Sequence, residues 1–511
     1  MPDWTYHPLR GITAAVLGVR RSRRVALHAL ATLVSLPSGR RVVSLAFGHR
    51  PAPPDLAGTV AGVPVASRLG AIVPPAVARD AIRALPTQGA GFIVIAPVTP
   101  ADVPQVLEAT AGRRRPVFIR STDPETAAAL APHIDGVLLE NARLVSVSAP
   151  GTAEAVALLQ DGGTVLATPT VLVTEGPGWF QRVTEAATPT HPATGLRAVG
   201  WDPRRWPAWW WGFCVGAGMI GGGLGAALIT LGPVLLWYDR DFLGTDLNGL
   251  HHINHHLVHF LQHDRITMAA TMVAIGVLYV GLAVGGIRRG WPWARNAYLV
   301  SGYIGFPTLF YFLGFGFLEP LHTAVAVVLF PMFVLATRRS PDRPRWTLQP
   351  DGPEPERLRA HLGQLLMIIT GVGLFIGGAV VSVVGLTHVF VPSDLVFLQT
   401  TSEDLQAANV HLVPFIAHDR AGFGGALTAA AAAITGLSAW GWRRGEAWIW
   451  WTLALAALIG FLPPIVIHAH AGYTDFWHLA PVYFGSLLTI LALALARPYL
   501  CNKMASTDRS S

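Results

Sequence analysis

Two stretches in the second half of the chain repeat one pattern: residues 254–265 read NHHLVHFLQHDR, and residues 409–420 read NVHLVPFIAHDR. The same offset of 155 residues relates the RRG triplet at 288–290 to the RRG triplet at 443–445. A register that holds over this distance indicates an internal duplication. The second half of the chain is therefore predicted to consist of two related units.

Long uncharged runs flank both motifs, for example 212–236 and 365–393. At a rise of 1.5 Å per residue, each run is long enough to cross a hydrocarbon core of about 30 Å as a helix. Each unit is predicted to have four spans, so the two copies share one orientation and are related by an axis along the membrane normal. The eight predicted spans are 209–237, 266–287, 297–317, 320–337, 364–391, 421–442, 447–467 and 479–496.

The composition agrees with a membrane protein, since 52% of the 511 residues are hydrophobic and only 13% are charged. The net charge of +7 is carried almost wholly by arginine, since Lys503 is the only lysine, and the arginines of the second half lie in alternate loops between the predicted spans. This asymmetry predicts a multi-pass protein of the inner or plasma membrane with both termini in the cytoplasm, and not a nucleic-acid-binding protein. Arginines interrupt the N-terminal apolar segment, which argues against a cleaved signal peptide. The absence of a CxxCH motif excludes covalent haem attachment.

Six polar positions recur in both units, and the predicted topology places all of them near the extracytoplasmic ends of the spans. They could form a hydrogen-bonded cluster that locks helix ends together. They could also bind haem or a divalent metal, because imidazoles on facing helices are ligands for both. A proton or ion pathway is the third interpretation. The pairs are Asp239 and Asp394, His256 and His411, His263 and His418, Asp264 and Asp419, Arg265 and Arg420, and His322 and His478.

Further histidines occur in only one of the two units. Several histidines of the first unit are four residues apart, a spacing that can chelate a divalent metal on one helix face. The second unit lacks these residues, so they are interpreted as a solvated His-rich loop. His468 and His470 have no counterpart in the first unit and are candidates to lie near His478. The extra histidines of the first unit are His251, His252, His255 and His259.

Residues 56–190 alternate short β-rich runs with helical stretches, which predicts a parallel sheet or a partial (β/α) barrel. Six such units are fewer than the eight of a closed (β/α)8 barrel. The predicted strands are 64–67, 91–96, 116–120, 136–139, 145–148 and 165–168. The predicted helices lie near 75–84, 101–111, 124–132, 152–160 and 176–187.

Residues 6–36, with their HPLR and ALHAL segments, resemble the N-terminal membrane-docking region of class 2 dihydroorotate dehydrogenases. The segments GVPVASRLG (62–70), GFIVIAPVTP (91–100), RPVFIRST (115–122) and EGPGWFQRV (175–183) are similar to that family in the same order. The resemblance implies a flavin-type barrel with FMN as a candidate cofactor and quinone as a candidate partner. It also implies cofactor-binding roles for Arg120 and Asn141. A phosphate is placed at Gly176 and Gly178, near a helix start.

The chain also departs from this family. The phosphate-cradling Gly-Gly is here Ser148-Ala149, and a phosphate nest needs glycine where backbone N–H groups converge. The short connection between Pro100 and Pro116 leaves no room for the segment that carries the family's catalytic base. Dihydroorotate oxidation is therefore not expected of this degenerate domain.

The sequence as a whole predicts a multidomain membrane protein. The first hypothesis for its function is redox chemistry or electron transfer by an oxidoreductase. The alternatives are an ion-coupled transporter or channel, and a non-enzymatic sensor or scaffold. The lipid bilayer is the predicted partner, and a homo-oligomer is possible. The predicted domains are amphipathic docking helices (1–45), an α/β domain (46–200), repeat 1 (201–345), repeat 2 (346–500) and a cytosolic tail (501–511).

Overall fold

The computed structural model describes residues 2–47, 52–138, 144–147, 152–188, 195, 199–317, 319–338 and 352–502. The chain forms two compact units. Unit 1 contains Met1–Thr190, Thr347–Leu362 and Arg443–Gly445, and unit 2 contains His191–Trp346, Gly363–Trp442 and Glu446–Ser511. Asn141 and the Ser148-Ala149 pair lie outside the described residues.

Unit 1 begins with three helices, of which the first exposes apolar residues such as Ile12 and Val16. His28 Nδ1 lies 3.1 Å from Asp80 Oδ2 and links the second helix to the fourth. The helices are α1 (His7–Leu17), α2 (Val19–Ser35), α3 (Gly39–Phe47), α4 (Ala78–Gln88), α5 (Val103–Thr110), α6 (Pro124–Leu130), α7 (Thr152–Gln160), α8 (Pro169–Glu175) and α9 (Trp179–Ala187).

Six parallel strands form the main sheet of unit 1, in the order β6-β5-β4-β3-β8-β7, and β1 and β2 form a separate hairpin. The core strand β3 was not predicted, although its residues LGAIV are almost wholly buried. Its neighbour β8 is the last strand of the sheet along the chain, so the sheet pairs its first and last strands. The strands are β1 (Gly58–Val60), β2 (Val63–Val65), β3 (Leu69–Val73), β4 (Ile93–Ile95), β5 (Val117–Ile119), β6 (Gly136–Val137), β7 (Leu144–Val147) and β8 (Thr164–Ala167).

Among the described residues, eight helical segments are long and apolar enough to cross a membrane, which confirms the predicted number of spans. They are Ala208–Leu231, Leu257–Arg289, Pro292–Phe315, Pro320–Thr337, Glu354–Leu386, Leu412–Gly441, Ala447–Ala471 and Phe476–Leu500. Their main helices are α10 (Ala208–Leu231), α13 (Leu257–Gly281), α14 (Pro292–Thr308), α15 (Pro320–Thr337), α16 (Glu354–Leu386), α19 (Leu412–Gly441), α20 (Ala447–Ala471) and α21 (Phe476–Leu500). Short helices in the connections are α11 (Trp237–Leu243), α12 (Leu247–Ile253), α17 (Pro392–Leu398) and α18 (Ser402–Ala408).

The two helices that carry the repeated motif lie at the centre of unit 2. In the most apolar 18-residue stretch of each span, 78% of the residues are buried for the span that contains α13 and 56% for α19, against 28–33% for the other six spans. Helix α13 packs against both α10 and α19. At the α10–α13 crossing, a Cβ on Gly216 would lie 2.9 Å from the Gly276 carbonyl oxygen, so only glycine permits this approach. Because α13 and α19 contact each other, the two repeated motifs face each other inside the bundle.

Candidate metal centres

The connection before each motif helix has the same unusual backbone in both repeats. Val234 and Val389 have φ angles of 62° and 66°, a left-handed conformation that β-branched residues rarely adopt. The next turn is held by an aspartate in each copy. Asp239 Oδ2 accepts from the Leu236 N–H at 2.9 Å, and Asp394 Oδ2 accepts from the Val391 N–H at 2.7 Å.

Two arginines bind these connections to the motif helices. Arg265 Nη1 donates to the Val234 carbonyl at 2.8 Å, and Arg420 Nη1 donates to the Val389 carbonyl at 2.9 Å. The same nitrogens contact the carboxylates of Asp239 and Asp394, respectively. Each arginine therefore donates a charged hydrogen bond to the backbone carbonyl of the valine that has the left-handed conformation.

The same arginines also cross between the repeats. Arg265 Nε donates to Asp419 Oδ2 at 2.8 Å, and Arg420 Nε donates to Asp264 Oδ2 at 3.1 Å. Each guanidinium thus lies between a carboxylate of its own repeat and one of the other repeat. We call these six residues the Arg-Asp frame: Asp239, Asp264, Arg265, Asp394, Asp419 and Arg420.

Two further pairs of contacts also run between the repeats in the same reciprocal way. Arg265 lies over the Phe415 ring and Arg420 over the Phe260 ring, each 4.9 Å from the ring centroid. The side-chain amide of Asn254 donates to the Leu398 carbonyl at 2.7 Å, and that of Asn409 donates to Leu243 at 2.8 Å. Reciprocal contacts of this kind indicate that the two repeats meet as an approximate two-fold pair.

Beside the frame, three histidines converge in what we call the triple-histidine cluster: His263, His468 and His478. One ligand atom from each lies within 4.8 Å of the others. The ring centroids of His263 and His468 are 4.8 Å apart, and those of His468 and His478 are 5.3 Å apart. These imidazoles come from both repeats, since His263 is on α13 and the other two are on α20 and α21.

In all three rings of the triple-histidine cluster, Nδ1 is engaged outside the cluster. Nδ1 of His263 contacts the Phe260 carbonyl, and Nδ1 of His468 lies 2.7 Å from the Pro464 carbonyl. A carbonyl can only accept, so these nitrogens carry the proton and Nε2 of each ring is left as a lone-pair donor. The buried Nε2 of His468 has no hydrogen-bond partner among the described residues.

Tyr473 completes this arrangement at His478. Its hydroxyl lies 2.8 Å from Asp394 Oδ1 and 3.2 Å from His478 Nδ1. Burial and the neighbouring Asp394 carboxylate raise the pKa of Tyr473, so the hydroxyl stays protonated. It can donate to the carboxylate while it accepts from His478, which links the cluster to the Arg-Asp frame.

Asp264 also faces the triple-histidine cluster. Its Oδ1 lies 3.3 Å from Nε2 of His263, while Nδ1 of the same ring already faces a carbonyl. Both ring nitrogens therefore face oxygen acceptors. Either an imidazolium or a cation bound between Nε2 and the carboxylate satisfies this geometry.

A second group, which we call the Glu-His-His cluster, contains Glu319, His322 and His418, again with ligand atoms within 4.8 Å of one another. Oε2 of Glu319 lies 3.2 Å from His418 Nε2 and also contacts His322 Nδ1. The two imidazole rings are 5.3 Å apart. Here a carboxylate bridges two imidazoles, one from each repeat, and a cation could be held by all three groups.

The repeated pair His256 and His411 belongs to neither cluster. Both residues immediately precede the motif helices, and their rings lie 5.0 Å from Phe397 and 4.9 Å from Phe242. The extra histidines of the first repeat are also separate: His251 and His252 are exposed, and His255 is exposed as well. His259 is paired with His470, at a ring distance of 6.3 Å.

Sequence reasoning did not single out Glu319 or Tyr473 as site residues. A signal for Glu319 exists, because it precedes His322 by three residues as Asp475 precedes His478. His468 was considered only as a neighbour of His478, and its ring does lie beside that of His478. No signal within the repeat identifies it as a third ligand.

In unit 1, the place predicted for a phosphate contains a carboxylate of the chain itself. The Gly178 N–H donates to Asp3 Oδ1 at 2.8 Å, and Arg182 pairs with the same carboxylate. Burial alone would raise the pKa of Asp3, but Arg182 and the Gly178 N–H outweigh it and hold the pKa well below 3.8. A Cβ on Gly176 would lie 3.1 Å from Asp3 Oδ1, so the turn closes tightly around this carboxylate. Arg120 directly follows β5, and its buried Nε has no hydrogen-bond partner among the described residues.

Both clusters offer donors that suit transition metals, since imidazole binds Zn, Cu, Fe and Ni and a carboxylate adds an oxygen ligand. In the triple-histidine cluster, the Nδ1 contacts also supply the outer hydrogen bonds that orient such ligands in metalloproteins. No protein-family model, curated protein or solved structure matches the chain.

Proposed function

We propose that this chain is an integral-membrane metalloprotein that binds two transition-metal ions, one in the triple-histidine cluster and one in the Glu-His-His cluster. The observation that carries the proposal is the triple-histidine cluster, in which Nδ1 of every ring is engaged elsewhere. The buried Nε2 of His468 adds a polar atom that costs free energy unless it is paired. A bound cation gives that lone pair a partner.

A purely structural role accounts poorly for the histidines. The Arg-Asp frame already joins the two repeats with ion pairs and backbone hydrogen bonds. Three neutral imidazoles that bring acceptor nitrogens together cannot bond to one another through those nitrogens. They need a proton or a metal ion between them, and a metal ion can satisfy all three at once.

The geometry also bears on which cofactor is bound. Haem iron takes one or two axial protein ligands, each on its own face of a flat macrocycle, whereas the three imidazoles of the triple-histidine cluster converge on one region. Convergence favours a single ion with at least one open coordination position. If the bound ion is redox-active, such an open site would support electron transfer or a metal-dependent oxidoreductase as the activity. The same ion could instead be carried across the bilayer, and the parallel repeats keep transport as the second candidate.

For the arrangement in the cell, we propose the inner or plasma membrane, with both clusters at the extracytoplasmic side and both termini in the cytoplasm. The arginine distribution among the loops supports this orientation. For unit 1 we propose a six-stranded, barrel-like arrangement that resembles a shortened dihydroorotate dehydrogenase domain. The pairing of its first strand, β3, with its last, β8, supports this closure. FMN and quinone remain candidate ligands of that unit.

Metal content of the purified, full-length protein tests the proposal. The wild type should hold about two ions per chain after purification without chelator, and a His263→Ala/His478→Ala variant should hold one fewer. The matched control is His256→Ala/His411→Ala, which removes repeated histidines that belong to neither cluster and should keep both ions. A metal-free wild-type protein that stays metal-free when Zn²⁺ or Cu²⁺ is added would contradict the proposal.

Time-resolved uptake separates the two candidate activities. The protein is reconstituted into vesicles that enclose a metal-sensitive dye. Accumulation of Zn²⁺ or Cu²⁺ in the lumen, abolished in His263→Ala/His478→Ala, would favour transport. Binding without accumulation would favour the redox assignment.

A further inference from the structure

Two pockets between the helices of unit 2, which we call the first and the second cavity, are related to each other by the duplication. The first is lined by residues of α10, α13, α14, α15 and α19, and the second by residues of α13, α16, α19, α20 and α21. The offset of 155 residues maps Met272 of the first cavity onto Leu427 of the second. It maps Gly305 and Phe306 onto Gly460 and Phe461 in the same way.

The two cavities differ in the chemistry of their walls. Three of the chain's seven methionines, Met219, Met268 and Met272, line the first cavity. The equivalents of Met219 and Met272 are Leu374 and Leu427, which line the second. Leucine and methionine have similar volumes, so packing alone does not require methionine at these positions. A cluster of thioether sulfurs is the property that distinguishes the first cavity.

The first cavity also includes His322, which is a member of the Glu-His-His cluster. The nitrogen and carboxylate ligands of that cluster therefore adjoin a pocket lined by soft sulfur donors. Thioethers select Cu⁺ over the harder divalent ions, which prefer oxygen and nitrogen. A monovalent ion is also easier to desolvate than a divalent ion in an apolar chamber within the bilayer.

We propose that the methionine-lined cavity is a Cu⁺ site contiguous with the Glu-His-His cluster, with Met219, Met268 and Met272 as soft ligands and His322 as the shared ligand. The inference rests on the proposed function, because it assigns the Glu-His-His cluster as one of two metal centres. It adds the identity of one metal and a second set of ligands. The second cavity, with leucines in place of two of the methionines, binds no Cu⁺.

Cu⁺ titration of the full-length protein in lipid nanodiscs tests this inference. The titration is carried out anaerobically with a reductant, in competition with a chromogenic Cu⁺ chelator. The test variant is Met219→Leu/Met268→Leu/Met272→Leu, in which two of the changes introduce the residue of the other repeat. Loss of these ligands should weaken Cu⁺ binding at least about tenfold, while the Zn²⁺ content of the triple-histidine cluster stays unchanged.

The matched control is Met367→Leu, because Met367 lines the second cavity and its loss should leave Cu⁺ affinity unchanged. X-ray absorption at the copper edge should show sulfur scattering in the wild type and in this control, and none in the triple variant. Wild-type protein without Cu⁺ binding, or a triple variant with wild-type Cu⁺ affinity, would overturn the inference. Methionine-dependent Cu⁺ binding in a protein whose triple-histidine cluster takes no metal would instead remove the proposed two-centre function and leave the cavity site standing.

Discussion

The triple-histidine and Glu-His-His clusters occupy equivalent positions in the two repeats, yet their third ligands differ. His263 and His418 are equivalent, as are His478 and His322, and each cluster combines one member of each pair. The third ligand is His468 in one cluster and Glu319 in the other. The Arg-Asp frame, by contrast, is the same in both copies. Under the proposed function, the Arg-Asp frame holds the two repeats together and the third ligand sets the metal chemistry of each cluster.

A small change in side-chain length accompanies this divergence. Glu319 corresponds to Asp475, which is one methylene shorter. Asp475 accepts a hydrogen bond from the His478 N–H at 2.7 Å and caps its own helix, whereas Glu319 reaches the two imidazoles. The Glu-His-His cluster thereby has a carboxylate among its three convergent ligands, whereas the three convergent ligands of the triple-histidine cluster are all imidazoles. When Cu⁺ is absent, we expect the Glu-His-His cluster to bind a divalent ion more tightly than the triple-histidine cluster does, because its carboxylate ligand offsets part of the charge of the ion.

The largest effect is expected from breaking the common frame. Arg420→Ala leaves the Asp264 and Asp394 carboxylates buried without their guanidinium partner, a loss of about 3–5 kcal/mol. Thermal unfolding should shift strongly to lower temperature, and both clusters should lose metal together. Arg240→Ala, on the exposed face of α11, is the matched control and should behave as wild type. Loss of metal from only one cluster would show that the frame is not shared.

The buried Asp3 anchor of unit 1 should be independent of both clusters. Asp3→Asn removes one of the two carboxylates that pair with Arg182, the other being that of Glu175, and should cost about 1.5–3 kcal/mol locally. Hydrogen exchange should increase in peptides covering α1 and α9, without a change in the motif helices. Because the folded-state pKa of Asp3 is lowered from 3.8, the difference from wild type should be constant above about pH 4 and shrink as the pH falls further. A difference that persists unchanged far below the folded-state pKa would contradict this assignment.

The number and order of spans could be predicted because uncharged runs are a local property of the sequence. The core strand Leu69–Val73 could not, because its five residues follow SR without a turn signal and their burial depends on distant strands. Helix α8 was likewise missed, since its N-cap Thr168 and first residue Pro169 directly follow a strand.

The site was predictable where the duplication marked it. The repeat identified His263, His418 and the frame residues, but it could not show that each cluster exchanges ligands between repeats. That exchange depends on how α13 and α19 cross. His468 has no repeated partner, so only the three-dimensional structure associates it with the other two ligands.

Substitution of the third ligand, Glu319, tests how much this ligand contributes to the metal affinity of the Glu-His-His cluster. Glu319→Gln keeps the size of the side chain but removes its charge, so Zn²⁺ affinity should fall about 10- to 100-fold at one site only. Isothermal titration of the full-length protein should then resolve one weakened site and one unchanged site. Equal weakening of both sites would show that the clusters are coupled rather than separate.

The smallest effect is expected at the hydroxyl that orients His478. Tyr473→Phe removes one hydrogen bond that links His478 to the frame, at a cost of about 1 kcal/mol. Metal should dissociate somewhat faster from the triple-histidine cluster, while the Glu-His-His cluster is unaffected. Stopped-flow transfer of metal to a chelator measures both rates, and an unchanged rate at the triple-histidine cluster would remove Tyr473 from the groups that orient its ligands.

The central claim is that three imidazoles bind one metal ion. X-ray absorption at the zinc edge of the His322→Ala variant tests it most directly. This variant disrupts the Glu-His-His cluster and leaves the triple-histidine cluster as the remaining centre, so the signal comes from a single site. With Zn²⁺ bound, the spectrum should show nitrogen ligands with the outer-shell scattering of about three imidazole rings at the Zn–N distance of about 2.0 Å. A spectrum of oxygen ligands without imidazole scattering, or a protein that binds no metal, would contradict the account.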